Sequence, residues 1–162
     1  MSEDLSPVIV AFDGSAESDA AVRAAAGLFP GRTLVVVTVW EPGLAMAMTS
    51  APDHLSGLAY VAPSPETMAI VDGAQSDHAA DTAAAGAQLA RELGAAAEPH
   101  PVPEGVDAAE TIVAVAEQRD AAAVVVGSRG LGRVKSRLLG STSHGVMRHT
   151  MRPVVVVRAP DA

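Results

Sequence analysis

At 162 residues the chain has the length of one ordinary domain, and its 49% hydrophobic content is enough for a core. The absence of cysteine excludes disulfides, thiolate metal sites and a cysteine nucleophile. A formal net charge of −8 argues against nucleic acid as a partner, and no apolar run approaches the roughly 20 residues of a membrane helix.

The first segment, Pro7 to Asp13 (PVIVAFD), is a short β-branched run ending at Gly14 and predicts a buried strand. A helix is expected over 15–29, with Ser15 as N-cap, Glu17 in the first turn and Pro30-Gly31 closing it. Its apolar face is read as Ala20, Ala21, Ala24, Ala25 and Leu28. Thr33 to Trp40 predicts the second strand. Residues 41–64 are proline-rich and aperiodic, which predicts a long loop. Pro65 after Ser64 marks a helix start, and an alanine-rich helix should run to about Leu93 and stop at Gly94, with a break near Gly73.

Residues 96–102 (AAEPHPV) continue the pattern as a strand, but Pro99 and Pro101 confine it to a sheet edge or a bulge. Asp107 and Glu110 have capping-box spacing and open a helix to about Arg119, with Ile112, Val113, Val115 and Ala116 facing inward. Ala121 to Val126 is the fourth strand; a glycine-rich loop, a helix over 141–149 and a last strand, Pro153 to Arg158, follow. Alternating strands and helices imply right-handed crossovers: an α/β fold in which an open parallel sheet carries helices on both faces, within one domain over 1–162. Ligands of such sheets bind at the carboxyl ends of strands, where Asp13-Gly14-Ser15 and the segment from Gly127 lie.

The chemistry concentrates in that second segment. Residues 121–160 contain Arg129, Arg133, Lys135, Arg137, Arg148, Arg152 and Arg158 and no Asp or Glu, a basic stretch in an acidic chain. A strand runs directly into glycines, and the loop ends at Gly140-Ser141-Thr142-Ser143 where a helix begins. A helix N-terminus offers unpaired N–H groups and the positive end of the dipole, glycines allow close approach, and hydroxyls and arginines add donors and charge. This combination suits a phosphate. The P-loop pattern fails, because Gly132 is followed by Arg133-Val134, and the dinucleotide fingerprint fails on glycine spacing.

Gly127, Gly130, Gly140 and Ser141 do fit G-x2-G-x9-G-[ST]. With VIVAFDGS at the front and PVVVVR at the end, the chain resembles the universal stress protein family, in its ATP-binding branch. The resemblance implies a five-stranded parallel sheet of order 3-2-1-4-5. It implies that Gly127, Gly130, Gly140 and Ser141 hold ribose and phosphates, beside the hydroxyls of Thr142 and Ser143 and the charge of Arg129 that the residues themselves offer to a phosphate. Asp13 is expected to face the nucleotide and a bound Mg²⁺, Val39 to offer its backbone to adenine, and Ala11 and Phe12 to line the pocket. His144 stands where relatives commonly carry an acid. Three functions remain open: a nucleotide-binding regulatory module, a slow ATP hydrolase or adenylyl-transfer enzyme, and a cyclic-AMP-binding module. No catalytic residue is assigned, and His54, His78, His100, His144 and His149 lack metal-ligand spacing.

The last strand is aliphatic and lies at an edge in that order. It is therefore expected to pair with its own copy in a homodimer, which Pro at Val155 or Lys at Val156 should weaken. The location is expected to be cytoplasmic, since MSEDLSP is too polar for a signal peptide. A regulatory protein partner is not legible in the residues.

Overall fold

The structure is a computed structural model and describes residues 5–43, 64–129 and 139–159. The elements in chain order are β1 (Val8–Ala11), α1 (Ala16–Leu28), β2 (Leu34–Trp40), α2 (Pro65–Glu92), β3 (Ala97–Pro103), α3 (Ala108–Gln118), β4 (Ala123–Gly127), α4 (Ser141–His149) and β5 (Val154–Val157). The five strands form one parallel sheet of order β3-β2-β1-β4-β5, the order that the resemblance implies.

Strand alternation divides the core into two layers. Val8, Val10, Leu34, Val36, Ala123 and Val125 face α1 and α2, where Ala21, Val22, Ala25, Ala87 and Ala90 meet them. Ile9, Val35, Val37, Val124 and Val126 face α3 and α4, where Ile112, Val115, Ala116 and Val146 meet them. Small helix residues let the backbones sit close to the sheet. A Cβ at Gly86 would come 2.8 Å from both the Phe12 ring and Val36, so α2 has glycine where it packs on β2 and the Phe12 ring.

Several boundaries move. The stripe of α1 that is buried is Ser18, Ala21, Val22 and Ala25, an i, i+3, i+4, i+7 set, and Leu28 is 59% exposed. That stripe is rotated from the alanine face read in the sequence, because the hydroxyl of Ser18 turns back to Ser15 O (2.9 Å) and can be buried at no hydrogen-bonding cost. Gly73 does not interrupt α2, which runs unbroken from its Ser64 cap. A glycine costs a helix about 1 kcal/mol, which a helix of 28 residues absorbs. The fourth strand begins at Ala123 and takes in Gly127. Of the expected 41–64 loop, residues 44–63 lie outside the described residues. Among the described residues no helix is long and apolar enough to cross a membrane.

Candidate functional site

In the order 3-2-1-4-5 the chain winds away from β1 in opposite directions, so the carboxyl ends of β1 and β4 flank a crevice that no crossover covers. A cavity of about 320 Å³ opens there. That volume is at the lower end of the roughly 300–1,000 Å³ typical of small-molecule sites. Its walls are the ends of β1 (Ala11, Phe12, Asp13), β2 (Val37, Val39) and β4 (Val126, Gly127), the first turns of α1 (Ser18), α3 (Ala108, Ile112) and α4 (Ser141, Thr142, Ser143), and Arg129, Leu139 and Gly140.

The β1 corner is a tight turn. Gly14 has φ +79°, and the carboxylate of Asp13 accepts the Ser15 N–H at 3.0 Å, an Asx turn that aims the chain into α1. Ser15 then caps α1 by accepting from Ser18 N–H at 3.2 Å. Behind the turn, the Thr38 hydroxyl donates to Phe12 O at 2.9 Å and ties the ends of β1 and β2 together. The backbone of Glu17 lies so close to Gly127 that a Cβ there would stand 2.9 Å from its carbonyl carbon and oxygen. Glycine is required at 127 by helix packing, whatever occupies the cavity.

The β4 corner is built from three hydrogen bonds. Ser128 N–H donates to Val157 O (2.6 Å), Gly140 N–H donates to Ser128 O (2.7 Å), and the buried Ser143 hydroxyl donates to Gly127 O (2.5 Å). Residues 128 and 140 therefore close the base of the glycine-rich loop, and Ser143 fastens α4 to the end of β4. The hydroxyl of Ser143, read in the sequence as a phosphate donor, is already committed to this carbonyl. α4 also crosses α3 closely: a Cβ at Gly145 would lie 2.5 Å from that of Ala109.

α1, α2 and α3 are capped by Ser15, Ser64 and Asp107, whose side chains accept N–H groups of the first turn. α4 begins at Gly140 with no side-chain cap. The leading N–H groups of α4 thus meet the cavity with Ser141 and Thr142 beside them.

Positive charge collects at one end of the cavity. That end has Arg129 and the positive end of α4, with no acid in its first turn. Glu41, Glu104 and Asp107 form an acidic group outside the lining of the cavity, next to it in the chain at Ala108. Burial, reinforced by Glu41 and Asp107, pushes the Glu104 carboxyl above its ordinary range. Much of the remaining wall is apolar: Ala11, Val37, Val39, Ile112 and Val126. An anion is favoured at the α4 end and an uncharged group against the apolar wall.

Of the residues singled out in the sequence, Ala11, Phe12, Asp13, Val39, Gly127, Arg129, Gly140, Ser141, Thr142 and Ser143 meet at this cavity. Gly130 and the cations Arg133, Lys135 and Arg137 lie outside the described residues. Phe12 reaches the wall while its ring packs under Gly86. The basic stretch does not act as one cluster: Arg152 pairs with Glu117 (3.0 Å) and Asp120 (2.8 Å), pinning the entry of β5 to the end of α3, and Arg148 lies in the last turn of α4. Ser18, Val37, Ala108, Ile112, Val126 and Leu139 line the cavity without having been singled out. Val37 precedes Val39 by one strand period, and Ala108 and Ile112 are one helical turn apart; periodicity together with the sheet order would have found them. Among the described residues no three of His, Asp or Glu gather to hold a metal ion.

An open parallel sheet with helices on both faces and a ligand-sized cavity at its switch point defines the structural class. The universal stress protein family model matches residues 5–158, and the chain belongs to that family. It is 34% identical over 164 residues to a universal stress protein of Arabidopsis thaliana, PHOS34, an alignment covering 94% of this chain and 61% of the relative. The chain thus spans about three fifths of that relative's length. The fold is similar to that of a universal stress protein from Archaeoglobus fulgidus solved in complex with dAMP (TM-score 0.61, 23% identity, 93% of this chain and 96% of the other). It is similar also to a universal stress protein solved in complex with cAMP (TM-score 0.59, 24% identity, 95% and 97%).

Proposed function

We propose that residues 1–162 act as one nucleotide-binding regulatory domain of a cytoplasmic stress protein, with ATP as ligand. The observation that carries the reading is the uncapped N-terminus of α4, opening into a cavity whose wall is otherwise largely apolar. Phosphates sit at Gly140, Ser141 and Thr142, reached also by Arg129, Gly127 and Gly130. Adenine lies against Ala11, Val37, Val39 and Ile112, with the Val39 backbone as its polar contact. Relatives of the same fold solved with dAMP and with cAMP support a nucleotide as the ligand class.

Mg²⁺ enters this reading with the nucleotide. It is commonly held by one or two carboxylates and by substrate phosphates, and Asp13 is the carboxylate on the cavity wall. The ion would neutralise charge between Asp13 and the phosphates. Ser143 also lines the cavity, and its hydroxyl fixes α4 to the end of β4.

The test is to denature the purified protein and identify released nucleotide by chromatography, with calorimetric titration of ATP and cyclic AMP onto emptied protein. ATP released intact and bound more tightly than cyclic AMP is the expected outcome. ADP or AMP accumulating with time replaces this reading by slow hydrolysis, and preferential binding of cyclic AMP replaces it by the third. The second part of the reading is a homodimer through strand 153–158, tested by sedimentation at micromolar concentration.

A further inference from the structure

The two edges of the sheet differ in what their backbones can offer. In a parallel pair, alternate residues direct both N–H and C=O to the neighbouring strand, and the residues between direct theirs away. At β3 the direction is fixed by two bonds: Leu34 N–H donates to Ala96 O (2.8 Å) and Glu104 N–H donates to Trp40 O (2.7 Å). With the register Leu34↔Ala97 to Trp40↔Pro103, Glu98, His100 and Val102 bond inward and Ala97, Pro99, Pro101 and Pro103 face the free edge. Three of those four residues are proline. The edge presents carbonyls and a single N–H, on Ala97, whose own carbonyl is already taken by the Arg91 guanidinium (2.8 and 3.2 Å). All three prolines are exposed, so none is explained by core packing.

The β5 edge is the reverse. Val124 N–H donates to Pro153 O (2.9 Å) and Ser128 N–H to Val157 O (2.6 Å), so Val155 and Val157 bond inward. Val154, Val156 and Arg158 face outward, each with both a donor and an acceptor. Such an edge can pair with itself about a two-fold axis, which closes, or with the opposite edge of another copy, which repeats without end.

We propose that Pro99, Pro101 and Pro103 close the β3 edge to strand addition, so that the β5 edge can pair only with a second β5 and assembly stops at two copies. The inference rests on the homodimer proposed above and says what keeps that dimer from becoming a filament. A β5 strand laid along β3 would leave its own outward carbonyls without donors at three consecutive positions, while the same strand laid on another β5 satisfies both partners.

The test compares four proteins by sedimentation over a wide concentration range: the unmodified chain, P99T/P101T/P103T, V156P, and the two sets combined. Proline belongs at 156, where it removes only an outward N–H; at 155 it would break the ladder to β4. The triple variant is expected to keep its far-UV spectrum and to form species heavier than a dimer whose fraction grows with concentration. Adding V156P should collapse these to two copies or one. A folded triple variant that sediments like the unmodified chain overturns the proposal, as do heavy species that survive V156P. Should the triple variant not fold, P101T restores the central donor alone; heavier species at the highest concentrations support the closed edge, and sedimentation identical to the unmodified chain overturns it. Failure of the dimer reads out separately, as an unmodified chain that is monomeric and indifferent to V156P. Any association gained by the proline replacements over that monomer would still show the edge to have been closed.

Discussion

Ser141 and Ser143 stand two residues apart at the start of one helix, and the geometry gives them opposite roles. The Ser143 hydroxyl is 4% exposed and donates to the Gly127 carbonyl at 2.5 Å, joining α4 to β4 before any ligand arrives. Ser143→Ala removes a buried hydrogen bond and leaves that carbonyl short of a donor, a loss of about 1–3 kcal/mol. In a domain of this size that lowers Tm by about 2–10 °C. Ser141 is exposed, bonds to no other described residue through its side chain, and lines the cavity. Ser141→Ala should leave the stability of the empty protein within about 0.5 kcal/mol, as surface changes do. Its loss appears on binding: a hydrogen bond to a charged phosphate is worth about 1.5–3 kcal/mol, roughly a 10- to 150-fold rise in the ATP dissociation constant. Urea denaturation of emptied protein and calorimetric titration with ATP read the two quantities independently. The reasoning is refuted if Ser143→Ala is as stable as the parent without nucleotide, or if Ser141→Ala binds ATP undiminished.

Gly127→Ala should destabilise the nucleotide-free protein by about 1–3 kcal/mol, measured by denaturant titration, because its Cβ would stand 2.9 Å from the Glu17 backbone, which cannot rotate aside. Unchanged stability would return Gly127 to a purely ligand-facing role. Asp13→Asn keeps an oxygen for the Ser15 N–H and so keeps the turn, but loses the charge; ATP affinity should fall mainly with Mg²⁺ present, and an equal fall in EDTA assigns Asp13 to the nucleoside. Burial, then Arg119, hold the His100 imidazole below its ordinary value of 6.5, with Glu98 opposing them. As pH falls below that value the unfolded chain takes up a proton that the fold resists, so the folded state loses stability through the window down to the folded value. His100→Gln should flatten the change in urea midpoint between about pH 7 and pH 5, and an NMR titration placing His100 at or above its ordinary value overturns the assignment.

The parts of the fold legible in the sequence were those set by local physics. Buried strands such as VIVA and AVVVG declare themselves by β-branched runs, and the caps Ser15, Ser64 and Asp107 each sit at the helix start their chemistry marks. The hidden parts depended on polar partners that a linear reading does not show. Ser18 was overlooked as core because a serine is buried only when a partner accepts its proton, here Ser15 O. Ser143 read as a ligand donor because nothing local reveals Gly127 O, sixteen residues earlier, beneath it. Arg152 counted toward an anion site for the same reason, since Glu117 and Asp120 reach it only once β5 lies beside α3. Each of these concerns a polar side chain whose partner is set by backbone or tertiary geometry.

Gly127 shows how scaffold and site share residues. A glycine pattern invites the view that every glycine approaches the ligand, yet at 127 the close approach is to α1, and at 145 it is to α3. These contacts bring the first turns of α1, α3 and α4 to one rim, so that Ser18, Ala108 and Ser141 line a single cavity. The base of the loop is closed by Ser128 and Gly140 and joined to β5 through Val157. Bonds of this kind fix the donors at the α4 end before a phosphate arrives, so a nucleotide need not order them, and the conformational cost that would otherwise weaken binding is met in folding. That is also why Ser143→Ala should loosen nucleotide binding as well as the fold, by a smaller factor than Ser141→Ala.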